Sequence, residues 1–191
     1  MTLKRDEILD LLHKTQALKT GHFKLSSGLH SNGYVQCALL LQEPLVAATV
    51  CKDLAEKFRK AEPQIVVGPA LGGVIAAYEV AGSLGVPGIF AERENGKMTL
   101  RRGFRVHKGQ KALVIEDVIT TGGSSQEVVE LLQNLGAEVI GVGSIIDRSS
   151  TAVKLTVPYQ SLIKLEIDTF QPEDCPLCRQ GIEITKPGSR Q

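Results

Sequence analysis

The sequence predicts an α/β fold, a parallel sheet flanked by helices, and three observations carry that expectation. Four largely apolar runs, near 65–69, 88–92, 112–117 and 138–146, lack the regular alternation of a half-exposed strand; such runs suit strands covered on both faces. Segments with apolar residues at helical spacing fall between them, and alternating strands and helices make a parallel sheet. The third observation is ALVIEDVITTGGSS at 112–125. Its apolar start is a buried strand and its small residues a loop. A helix follows, with Val128, Val129, Leu131, Leu132 and Leu135 on one side and Gly136 as stop signal.

Each element can be justified in chain order. Ile8, Leu9, Leu11 and Leu12 predict a short amphipathic helix over 6–15. The glycines and serines of 21–34 suggest turns, followed by a short strand at 34–38. Val46, Val50, Leu54 and Phe58 recur every fourth position and predict a helix over 44–59. The strand at 65–69 meets Gly72 and Gly73, then an apolar helix running to Leu84. A glycine pair at such a junction serves close backbone approach to a ligand or tight helix–sheet packing, and residue type alone does not separate the two. The strand near 88–91 opens into a basic segment, 92–104, holding Arg93, Lys97, Arg101 and Arg102 around Asn95-Gly96. That segment suits either a charged hairpin or a mobile loop. Residues 161–167 alternate over most of their length and predict an edge strand. From Pro172 onward three prolines and no helical period predict a loop-rich tail.

Composition narrows the function classes. At 191 residues, with 42% hydrophobic and 23% charged residues, the chain is expected to form one domain, 1–191. A net charge of +1 gives no general attraction to nucleic acid or anionic membrane. The start of the chain mixes charged and apolar residues, unlike a signal peptide, and no run approaches the roughly 18 apolar residues of a membrane span. A cytoplasmic protein is expected, and a disulfide framework among Cys37, Cys51, Cys175 and Cys178 is not. Cys175-Pro-Leu-Cys178 has half the spacing of a zinc site. One such pair supplies two of four ligands, so packing or turn chemistry is expected there and no metal.

The organising stretch has a chemistry of its own. Strand, small-residue loop and helix place backbone N–H groups, the hydroxyls of Thr120 and Thr121 and a helix N-terminus around one point, which binds phosphate. The loop lacks the lysine of a P-loop and the glycine spacing of a dinucleotide site. Glu116 and Asp117 beside it imply a ligand that also carries hydroxyls, since ionised carboxylates only accept hydrogen bonds. A phosphorylated sugar meets both demands.

VIEDVITTGGSS closely resembles the 5-phosphoribosyl 1-diphosphate (PRPP) signature of type I phosphoribosyltransferases. The resemblance implies that Glu116 and Asp117 hold the ribose hydroxyls and that Val118, Ile119, Thr120, Thr121, Gly122, Gly123 and Ser124 wrap the 5-phosphate. Several further motifs resemble the orotate phosphoribosyltransferase family over roughly residues 20 to 150. Phe23-x-Leu25-x-Ser27-Gly28 resembles its N-terminal hood, formed by about 1–40 together with the C-terminal tail, although Ser26 stands where many relatives have lysine and the nearest lysine is Lys24. The 69–73 turn resembles its diphosphate-binding loop, with Gly72 among the PRPP contacts, and departs from a Tyr-Lys pair at Leu71-Gly72. Arg93-x-x-x-Lys97 resembles its mobile loop, with Glu94 and Thr99 replacing a lysine and a histidine. Asp147-Arg148 resembles the pair that meets the base, with Thr120 helping.

What the family implies is transfer of ribose 5-phosphate from PRPP to orotate in pyrimidine synthesis. Mg2+ would be bound mainly through the diphosphate, and Lys97 and Asp117 would be the catalytic residues. Lys97 would reach the neighbouring subunit of a homodimer. Two other readings stand beside it: a phosphoribosyltransferase for another base, and a PRPP-sensing regulator without catalysis.

Overall fold

In the computed structural model, residues 2–25 and 27–187 are described; Ser26 lies outside them. The chain runs α1 (Arg5–Lys14), β1 (Leu18–Lys24), β2 (His30–Val35), α2 (Ala38–Leu41), α3 (Pro44–Phe58), β3 (Ile65–Pro69), α4 (Gly72–Leu84), β4 (Gly88–Glu94), β5 (Lys97–Thr99), β6 (Lys111–Ile119), α5 (Gly123–Asn134), β7 (Glu138–Asp147), β8 (Tyr159–Lys164), β9 (Thr169–Phe170) and α6 (Pro176–Arg179).

Six strands form one sheet in the order β5-β4-β3-β6-β7-β8. Every neighbouring pair is parallel except β4 and β5. The four apolar runs became its four central strands because both faces are covered. Successive residues of β6 alternate between two cores: Leu113 and Ile115 pack with α1 to α4, whereas Ala112 and Val114 pack with α5. All four are fully buried. The predicted α/β fold is the observed one, and the edge strand expected over 161–167 is β8, which starts two residues earlier and ends at Lys164. Chain order reverses between β3 and β6, since β4 lies on one side of β3 while β7 and β8 continue beyond β6. Ligands in such sheets sit at the carboxyl edge beside this switch point.

A second, three-stranded sheet, β1-β2-β9, joins residues near the N-terminus to the tail. Here the sequence expectations need correction. The strand expected over 34–38 is β2, which ends at Val35; Ala38 already belongs to α2. Nor does the tail simply trail. Phe170 pairs with His30, and the Thr185 backbone bonds to Lys24 and His22. These contacts are long-range, so no local period announced them. The strand expected to end near Ala91 runs on to Glu94, turns at Asn95-Gly96 and returns as β5, with Thr99 opposite Glu92. The basic segment is thus first a hairpin, because Asn95 and Gly96 take the positive φ (51° and 81°) that a tight turn needs.

Candidate active site

The β6–α5 junction forms an open cleft of about 70 Å3, lined by Glu116 and residues 118–125. Gly122 caps α5 with φ of 84°, a conformation that favours glycine. A Cβ there would also stand 2.6 Å from Val153 Cγ1. Thr120, Thr121, Gly123 and Ser124 are exposed, so their polar groups are open to a ligand. The Ser125 hydroxyl lies beneath them, fully buried and without a hydrogen-bond partner. Such a group is expensive to leave unmet. Ser125 closes the small-residue run of the motif, yet sequence reasoning stopped the phosphate contacts at Ser124.

The two acids meet the α4 glycines. A Cβ on Gly72 would stand 2.6 Å from Asp117 Oδ1, and one on Gly73 3.1 Å from Glu116 Oε1. The close approach that residue type left open at Gly72 is therefore an approach to the acids. Asp117 Oδ1 accepts a hydrogen bond from the Val118 N–H at 2.8 Å. Glu116 is 9% exposed. Burial, with the neighbouring Asp117 charge next, pushes its carboxyl up to about 9. Cys37, at the start of α2, feels the same pair: burial first, then Asp117, hold its thiol well above the usual range. Sequence reasoning gave Cys37 no place near the acids.

Arg148 follows β7, and its backbone N–H donates to the Ile119 carbonyl at 2.8 Å, which ties it to the end of β6 beside the cleft. It does not pair with Asp147, whose Oδ1 instead accepts from the Ser149 N–H at 2.7 Å. The Arg148 Nε is buried without a partner. Burial lowers the guanidinium's pKa, and Tyr34 of the hood partly opposes this. A half-buried cation with an unmet N–H is prepared for an anion, and its planar fork matches a carboxylate.

Glu116, Asp117, residues 118–124, Gly72 and Arg148 thus share one edge. The hairpin residues do not. Arg93 pairs with Glu127 on α5 at 2.8 Å and also donates to the Gly96 carbonyl. Arg101 pairs with Glu94, and Arg102 with Glu92. Lys97 faces a different hollow, lined by Gly96, Met98, Glu127, Glu130, Leu131 and Asn134. Within one chain it does not line the β6–α5 cleft.

A parallel sheet with a small-residue loop and paired acids at its switch point has the layout of the phosphoribosyltransferase class. The family described as "Phosphoribosyl transferase domain" matches residues 40–177, and the chain belongs to it. Within that class it is a member of the orotate phosphoribosyltransferases. It is 51% identical over 189 residues to the orotate phosphoribosyltransferase of Desulforamulus reducens, covering 99% of both chains. With that of Thermotoga petrophila it shares 57% over 183 residues, covering 96% of this chain and 98% of the other. The crystal structure of orotate phosphoribosyltransferase from Aeropyrum pernix superposes with a TM-score of 0.69 at 26% identity, covering 83% of this chain and 93% of that one.

Proposed function

We propose that this chain transfers ribose 5-phosphate from PRPP to orotate, yielding orotidine 5′-phosphate and diphosphate for UMP synthesis in the cytoplasm. The observation that carries this reading is the placement of a sugar-phosphate cleft and an unpaired, half-buried arginine on one sheet edge. Orotate differs from uracil by a carboxylate, and Arg148, with Thr120 beside it, is the cation to receive it.

The reaction is a displacement at C1 of the ribose by a ring nitrogen of the base. Positive charge builds on the sugar as diphosphate leaves. Glu116 and Asp117 orient the ribose through its hydroxyls, and residues 118–124 hold the 5-phosphate, so the reacting carbon is fixed before its bond breaks. Gly72 keeps backbone close to the acids and leaves room for the diphosphate. Mg2+ takes oxygen ligands, and the cleft's donors are carboxylates and hydroxyls, which fit it. The described residues gather their one cluster of metal-capable His, Cys, Asp or Glu elsewhere, so the diphosphate itself would supply much of the cation's hold. Bound there, Mg2+ would offset leaving-group charge.

Lys97 and Arg93 act on the diphosphate of a partner subunit in a homodimer. Two observations support that arrangement: Lys97 lies away from its own chain's cleft, and Leu71, Ile75 and Tyr78 expose an apolar stripe along α4 beside Gly72 (88%, 46% and 71% exposed). Such stripes mark subunit contacts. The whole chain then works as one catalytic unit, with hood and tail over the base end.

A panel of orotate, uracil, adenine and hypoxanthine with PRPP and Mg2+, followed by diphosphate release, tests the reading. Turnover with orotate is expected. Turnover confined to another base, or none with any base despite PRPP binding, would replace it with one of the two other readings.

A further inference from the structure

We propose that His22, His30, Cys175 and Cys178 form a structural zinc site that clips the C-terminal tail to the hood. The sequence expectation of simple packing at the Cys175–Cys178 pair took no account of the histidines, which lie some 150 residues away in the chain. The fold brings them together. His22 is on β1, His30 on β2, and the two cysteines flank the start of α6.

One ligand atom from each of the four lies within 4.8 Å of all the others. His22 Nε2 is 3.0 Å from His30 Nδ1 and 3.5 Å from Cys175 Sγ. Cys178 Sγ is 3.8 Å from His22 Nε2 and 3.3 Å from His30 Nδ1. Tetrahedral zinc with Zn–S of about 2.3 Å and Zn–N of about 2.0 Å requires edges of roughly 3.3–3.8 Å. The four edges given lie at or near that range, and the other two are no longer than 4.8 Å.

Hydrogen bonding alone does not account for the arrangement. His22 Nδ1 is 2.8 Å from the Ile182 carbonyl, which only accepts, so Nδ1 carries the proton. In neutral His22 this leaves one lone pair, on Nε2. His30 Nδ1 and both thiols crowd that single acceptor. A cation at the centre would satisfy every lone pair at once, and the Ile182 carbonyl would be the outer partner that fixes a ligating histidine's tautomer. Two thiols, two imidazoles and tetrahedral spacing select zinc among common divalent ions. Binding would release one proton from each thiol.

Beyond the backbone bonds of Thr185 to Lys24 and His22, little else holds the described tail residues. Among its described residues, 171–187, Cys175 alone is buried, while Ile182 and Ile184 remain exposed. A segment that buries so little apolar surface needs a cross-link to stay ordered.

The test uses the full chain, purified without a polyhistidine tag and kept reduced. Elemental analysis should give one zinc per chain. Replacement by cobalt should give the intense visible bands of a tetrahedral ion together with sulfur-to-metal charge transfer. Chelation should lower the melting temperature by roughly 5–10 °C. Cys178→Ala, at the exposed ligand, should lose the metal and the cobalt spectrum; if it fails to fold, the wild-type metal content and cobalt spectrum decide. A reduced chain from zinc-supplemented cells that carries no zinc would overturn the proposal, as would six-coordinate cobalt or full zinc retention in a His30→Ala, Cys178→Ala double variant.

Discussion

The switch-point cleft and the β4–β5 hairpin both attract attention by their charged residues, yet they treat those charges in opposite ways. At that sheet edge the groups are buried and poorly met: Ser125 Oγ and Arg148 Nε have no partner, and burial pushes the Glu116 carboxyl up to about 9. On the hairpin the arginines are exposed and paired, to Glu127, Glu94 and Glu92. Exposed pairs contribute little to stability and are easily exchanged. Buried unmet groups are costly, and a ligand relieves the cost. Charge density alone therefore does not locate a site; the balance of burial and satisfaction does.

The comparison can be broken most forcefully at Lys97. If the hairpin serves a partner's diphosphate, Lys97→Ala should lower kcat about 100- to 1,000-fold while changing PRPP affinity little, because leaving-group charge develops in the transition state. Mixing it with an inactive Asp117→Asn variant should restore part of the activity. No recovery, once subunit exchange is demonstrated, would confine each lysine to its own chain.

Next in size is Arg148. Loss of a charge-assisted pair in a half-buried setting should raise the KM for orotate by about 10- to 150-fold, with the KM for PRPP nearly unchanged. The reverse pattern in steady-state kinetics would show that the base end of the cleft lies elsewhere.

Glu116 gives a smaller, pH-dependent effect. Its folded pKa of about 9 lies above the ordinary 4.5, so the folded protein holds a proton that the unfolded chain has released. Its contribution is fully present below about pH 4.5 and is lost as pH rises through about 9. Glu116→Gln should flatten the decline in stability across that window in urea titrations at several pH values. An unaltered slope would mean the carboxyl ionises normally.

The smallest effect is expected at Glu127. Glu127→Gln removes the Arg93 pair on an exposed face, so the melting temperature should stay within measurement error, and only Arg93-dependent kinetics should respond. A clear loss of thermal stability would mean the hairpin is a structural strut.

The organising motif was legible in the sequence because its information is local. Apolar strand, two acids, small residues and helix follow one another over a dozen positions, and backbone chemistry alone turns that order into a strand–loop–helix junction at a sheet edge. Gly72 was half-legible: its type announced a close approach, but the partner, Asp117, is 45 positions on and appears only when α4 packs beside β6. The hairpin was half-legible: Asn95-Gly96 announced the turn, while the choice of Glu127 for Arg93 required α5 to lie alongside. Of the His22, His30, Cys175 and Cys178 cluster only the Cys-x-x-Cys spacing was announced locally, because the two histidines lie on the other side of the intervening sheet in sequence. The chain by itself determined the four central strands, the small-residue turn after β6 and the family. Tertiary structure decided which charges are met and which are left waiting, because burial and partnership depend on packing between distant segments.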